Sequence, residues 1–200
     1  MKKTKEEIIR KAFGLFMTNS YKDVTLDLIL KETGLSKGGF YHYFERKEEL
    51  FEAVVDMFFF GIASDMGFQP SPEKSFLENM DDFTDQKENA FQMLAEHYGI
   101  EHSEMNFFMF IMQAIQYLPG VRQKVSLFLY KEKQQIEKII AIALQRGEIK
   151  SDILQSKLAD VIISMFDGIE MHGVLLSQSF ETLSRKRAMV RQVYEWVKYN

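Results

Sequence analysis

Between Thr25 and Lys47 the sequence gathers hydroxyls (Thr25, Ser36), cations (Lys37, Arg46, Lys47), three polar-headed rings (Tyr41, His42, Tyr43) and the pair Gly38-Gly39. Groups of this kind donate hydrogen bonds and positive charge to phosphates and reach base edges. The spacing suits non-covalent recognition better than catalysis. There is no cysteine, and none of His42, His97, His102 and His172 stands four residues from another, so a metal site has little support. His97, Glu101 and His102 are near one another in sequence but flank Gly99. No nucleophile elbow, phosphate loop or dinucleotide fingerprint is present, and no cofactor is expected.

These groups need short helices to hold them. Thr25 is a good N-cap for a helix from Leu26 to about Thr33, Gly34 a natural stop, and Ser36 the cap of a second short helix reaching about Tyr43. Two short helices around a glycine turn are a helix-turn-helix. Phe40 and Phe44, four apart, anchor the second helix on its one buried face, so at least two of Tyr41, His42 and Tyr43 should be exposed. Each glycine inside a helix costs about 1 kcal/mol against alanine. Close approach to DNA would account for Gly38-Gly39; close packing on the preceding helix, or simple indifference, is the alternative. Arg46 and Lys47 open a third helix, where cations oppose the helix dipole by about 0.3–1 kcal/mol each. A bound phosphate would reverse that sign, although Glu45, Glu48 and Glu49 also relieve it.

The rest of the chain reads as helices. Thr4 and Glu7 have capping-box spacing ahead of Ile8, Ala12, Leu15 and Phe16, in a helix ending near Asn19-Ser20. The helix from Arg46 is expected to reach about Met66, and Gln69-Pro70-Ser71-Pro72 is the clearest break. Residues 75–85 fit a short helix or a loop. Helices follow over Asn89–His97, Glu104–Leu118, Val121–Gln145, from Asp152 or Ser156 to about Ser177, and from about Phe180 to Val197. The expected class is all-α with about nine helices. At 46% hydrophobic and 27% charged, the chain can bury a core. Residues 1–50 hold 10 Lys/Arg against 8 Asp/Glu, while the whole chain is at -4, so the small basic surplus sits with the helix-turn-helix. The absence of a signal-like start and of any apolar run near the ~20 residues of a membrane span points to a soluble cytoplasmic protein.

Thr25, Gly34-Leu35-Ser36-Lys37-Gly38, Phe40-Tyr41-His42-Tyr43-Phe44 and Lys47-Glu48-Glu49-Leu50 together resemble the signature of the tetracycline-repressor (TetR) family of transcription regulators. The resemblance is specific over about residues 5–50. It implies a homodimer on a double-stranded DNA operator, with a three-helix DNA-binding domain at 1–50. A larger helical ligand-binding and dimerisation domain would occupy 51–200. It also implies that Thr25, Tyr41 and Lys47 contact phosphates, and that Lys37, Gly38, His42 and Tyr43 approach bases or backbone. Two departures stand out: Gly39 replaces a commoner side chain and Leu30 a small alanine.

Phe58, Phe59, Met93, His97, Phe107, Phe110, Met112, Tyr117, Phe128, Met165 and Phe166 could line an apolar pocket for a small, mostly apolar ligand, or be ordinary core. Asp167 and Glu170, if they face inward, would favour a cationic lipophilic ligand. The helix from Ser156 needs two buried faces; Val161, Gly168 and Gly173 there, with Met189, Val193 and Trp196 on the last helix, suit a two-fold four-helix interface. Internal packing of a monomer is the alternative. The leading expectation is a ligand-responsive repressor released from a palindromic operator. The rival is a small-molecule binding protein whose helix-turn-helix no longer binds DNA.

Overall fold

The computed structural model describes residues 4–61, 67–98, 107–150, 152–176 and 181–199, apart from the side chains of Phe91, Leu94, Ala95, His97, Tyr98 and Phe107. The class is all-α, and no strand occurs among the described residues. The helices are α1 Lys5–Thr18, α2 Leu26–Thr33, α3 Lys37–Tyr43, α4 Lys47–Val55, α5 Phe76–Tyr98, α6 Phe107–Tyr117, α7 Val121–Gln145, α8 Gln155–Leu175 and α9 Thr182–Val197. The expected interruption at Gly99 lies outside the described residues. Residues 76–85, ambiguous in the sequence, are continuous helix because Phe76, Met80 and Phe83 form one buried stripe.

The chain forms two compact units, Met1–Asp65 with Leu94–Val125, and Met66–Met93 with Ser126–Asn200. The first thus extends beyond residue 50 and takes in α6, because α6 packs on both α1 and α4. Its core is aromatic. Phe13 stacks on Phe58 at 4.1 Å and meets Phe110 edge-on at 6.4 Å, while Phe16 lies 4.6 Å from Phe51. Ile8, Ile9, Ala12, Phe13, Phe16 and Met17 give α1 its buried face. The helix begun by α4 widens into a π-turn over Asp56–Gly61 instead of running on regularly. That turn buries Phe58 and leaves Asp56 outward, bonded to Lys124 at 2.6 Å.

In the second unit, Phe76, Met80 and Phe83 of α5 meet Ile136, Ile139, Ile140 and Ala143 of α7, Ile162 and Phe166 of α8, and Val190, Val193 and Val197 of α9. Buried Asn79 holds the preceding loop. Its Nδ2 donates to the carbonyls of Ser71, Lys74 and Ser75, and its Oδ1 accepts from Ser71 N at 2.7 Å. After α7 the chain turns at Gly147, φ +69°, and Glu148 accepts from Phe76 N at 2.8 Å, capping α5.

Candidate nucleic-acid interface

Local rules set the reading helix. Thr25 Oγ1 accepts from Leu28 N at 3.2 Å and Ser36 Oγ from Gly39 N at 3.1 Å, each occupying an orphan amide of its helix. A capping hydroxyl still has its own hydrogen to donate, so Thr25 and Ser36 remain able to meet a phosphate. Between the two helices Gly34 sits at φ +65°, a conformation that glycine adopts without strain. Thr4 and Glu7 close a reciprocal capping box on α1.

Phe40 and Phe44 are buried, their centroids 5.8 Å apart, and fix the roll of α3. That roll turns Lys37, Gly38, Tyr41 and His42 outward, with Tyr41 50% exposed, while Tyr43 is half-buried. Two of the three rings are therefore available, as the single buried face requires. A Cβ on Gly38 would meet nothing within 4 Å, so no packing against α2 explains this glycine. Gly39 differs: its Cβ would lie 3.3 Å from the capping Ser36 Oγ, so its smallness serves the cap.

Arg46 is the exposed N-cap of α4 and makes no side-chain cap bond. Lys47 is half-buried and is held by the corner between α1 and α2. Its ammonium donates to the carbonyls of Tyr21 at 2.7 Å and Val24 at 2.8 Å, and lies 4.0 Å from the Tyr21 ring centroid. Burial holds it below the ordinary lysine range, against the opposing pull of Glu48 and Asp23. Tyr21 donates its hydroxyl to Glu48 at 2.7 Å. Burial first, and then that carboxylate, push the phenol upward, while the hydroxyl's bond holds Glu48 below the usual carboxylate range. From α6, Gln113 Oε1 accepts from Tyr21 N and Tyr117 stacks on the Tyr21 ring at 4.4 Å. Tyr21 and Gln113 were absent from the sequence-derived site. The polar pair Gln113 and Gln116 on an apolar helix was the one available signal, and it does not name a partner.

Residues 8–54, which run from the second turn of α1 almost to the end of α4, match the family described as bacterial regulatory proteins, tetR family. Over this stretch the chain belongs to the TetR family. That family consists of transcriptional regulators rather than enzymes. The TetC protein of transposon Tn10 from Escherichia coli is 21% identical over 193 residues, covering 96% of this chain and 89% of TetC. An uncharacterised helix-turn-helix regulator, YerO of Bacillus subtilis, is 29% identical over 52% of the chain, and that match spans 40% of YerO's length. Solved TetR regulators share the fold. One from Chloroflexus aurantiacus superposes with TM-score 0.68 at 22% identity, covering 98% of this chain and 96% of that one. A regulator from Saccharomonospora viridis in complex with choline gives 0.70 at 15%, covering 98% of both.

The residues proposed for a pocket fall in both compact units. Phe58 and Phe110 are core of the first unit, where Phe59, Met112 and Tyr117 also belong, Met112 on the surface. Phe166 is core of the second, with Met165 packed against it and Phe128 half-buried. His97 and Phe107 have side chains outside the described residues, and His102 lies wholly outside them. Met93 lines a groove along α5 of about 580 Å³, with Phe68, Asp82, Asp85, Gln86, Asn89 and Ala90. Glu170 is ion-paired with Lys186 of the same chain, and burial beside Glu132 raises the Asp167 carboxyl above its usual range. Of the interface candidates, Val161, Met189 and Trp196 are exposed and a Gly168 Cβ would meet nothing within 4 Å, whereas Gly173 is buried and Val193 belongs to the core of the second unit. No helix among the described residues is long and apolar enough to cross a membrane.

Proposed function

We propose that this TetR-family regulator is a cytoplasmic, ligand-responsive repressor that reads a palindromic operator as a homodimer. In this reading residues 1–50 contact DNA and residues 51–200 bind ligand and dimerise. The observation that carries it is the outward face of α3, where Lys37, Gly38, Tyr41 and His42 stand exposed while Phe40 and Phe44 lock the helix. Arg46 and Thr25 flank that face as phosphate contacts. A small, mostly apolar effector bound by residues 51–200 shifts the population towards an arrangement with α4 moved, which changes the spacing of two recognition helices. The choline complex of the Saccharomonospora viridis regulator supports a small ligand in this fold. The test is fluorescence anisotropy on a duplex selected in vitro by the intact protein. Tyr41→Ala and Lys37→Ala should both weaken binding, and Lys37→Ala should reduce the salt slope by about one. Unchanged affinity and slope in both would remove α3 from the interface.

Gly38 separates the two explanations of the glycine pair. Gly38→Ala adds a methyl into open space inside a helix, so thermal stability should rise by about 0.5–1 kcal/mol. DNA affinity should fall, because the methyl occupies the gap between helix and groove. A variant equally stable and equally tight would show that the glycine serves neither purpose.

A further inference from the structure

The corner between α1 and α2 leads directly into Thr25, the cap of α2, and so sets where α2 and the reading helix α3 begin. It is a tight turn, with Asp23 N and Val24 N both donating to Ser20 O at 3.0 and 3.2 Å. Among the described residues that turn gives the Tyr21 amide no backbone acceptor. A part-buried amide left unpaired is costly. The acceptor comes from α6 instead: Tyr21 N donates to Gln113 Oε1, 92 positions along the chain.

The core of the first unit places Gln113 there. Phe110 and Ala114 are buried, and Phe110 meets Phe13 at 6.4 Å and Phe51 at 5.6 Å, both edge-on, which fixes the roll of α6. Gln113 and Tyr117, four apart, then lie together on the flank towards Tyr21, and Tyr117 stacks on its ring at 4.4 Å. Glu48 of α4 takes the Tyr21 hydroxyl at 2.7 Å. Tyr21 is thus tied at its amide, its ring and its hydroxyl, and two of the three ties come from α6. We propose that Gln113 is a positioning residue for DNA recognition. By accepting the Tyr21 amide it holds the α1–α2 corner, so that a helix outside residues 8–54 presents the reading helix. The inference rests on the DNA-binding reading above. A corner freed from this bond samples other positions, and apparent affinity falls with the fraction of molecules that still present α3 correctly.

Gln113 carries no charge and acts through Tyr21, so its loss should weaken binding without releasing fewer counterions. The experiment compares Gln113→Met, of similar length but without a strong acceptor, and Gln113→Glu, which keeps one, with wild type. Affinity for the selected duplex is scored per folded molecule, with the folded fraction taken from circular dichroism. Gln113→Met should lose about tenfold in affinity at an unchanged salt slope. Hydrogen exchange at the Tyr21 amide, measured without DNA, should be faster than in wild type. Gln113→Glu should restore both slow exchange and affinity. If Gln113→Met does not fold, Gln113→Ser, polar but too short to reach the amide, replaces it. Wild-type affinity in Gln113→Met overturns the inference while leaving DNA binding intact. So does a Gln113→Glu variant as weak as Gln113→Met, which would mean that the side chain does not act as an acceptor. A salt slope lowered by about one would make the residue a part of the DNA contact surface, and overturns the inference too. A wild-type protein that binds no duplex overturns the DNA-binding reading and this inference with it.

Discussion

Replacing Phe13 by alanine should unfold the first unit under conditions in which the wild type is stable. The side chain is fully buried, stacked on Phe58 at 4.1 Å and edge-on to Phe110 at 6.4 Å. It therefore joins α1, the π-turn and α6 at one point. Truncating a buried phenylalanine costs about 3–5 kcal/mol, a transfer loss plus the cavity left behind. A domain's whole stability is about 5–15 kcal/mol. Aromatic neighbours cannot collapse readily into the space, because a shift of Phe58 or Phe110 breaks its own packing. Chemical denaturation should give a lower midpoint at similar slope, and DNA binding should weaken only through the loss of folded protein. Phe13→Leu, filling most of the volume, should lose less. A midpoint unchanged by Phe13→Ala would mean that this cluster is not the keystone of the unit.

What the sequence disclosed, and what it concealed, divides by range along the chain. Thr4 with Glu7, Thr25, Gly34 and Ser36 were legible because a cap or a left-handed turn involves residues within three or four positions. Phe40 and Phe44 were legible for the same reason, and with them the outward set of α3. Lys47 was not. Its partners are backbone carbonyls 23 and 26 positions away, and a carbonyl carries no mark of residue type. The Gln113 bond to Tyr21 spans 92 positions, beyond any periodicity argument. The apolar set offered for a pocket is a different case: one buried phenylalanine resembles another, so composition cannot distinguish core from the wall of a cavity. Burial of Val193 beside exposed Trp196, three residues on, shows that neighbouring positions on one helix need geometry to be assigned to core or surface.

The remaining large effect concerns assembly. Leu154, the N-cap of α8, and Val161, Gly168 and Leu175 within it recur every seven residues on the outer side, with Met171 beside them. Val161 is 48% exposed and Trp196 of α9 61% exposed, and Met189 stands one heptad before it. A repeated apolar seam of this period, with a glycine whose missing side chain its own unit does not need, suits an antiparallel or crossing partner helix. Val161→Asp combined with Trp196→Arg should place unpaired charges in that seam, and sedimentation at micromolar concentration should then show monomer with unchanged helical content. The effect on DNA should be larger than that of any single contact. A two-fold dimer holds a second recognition helix one groove turn away, about 34–36 Å along the duplex, so its second half-site binds intramolecularly. Losing that linkage lowers affinity by about 10²–10⁴, and the salt slope should fall by about half, since half the phosphates are released. A double variant that remains dimeric would move the interface elsewhere. One that becomes monomeric yet binds with full affinity would mean that a single reading domain suffices, and the palindromic operator would then be lost with the dimer.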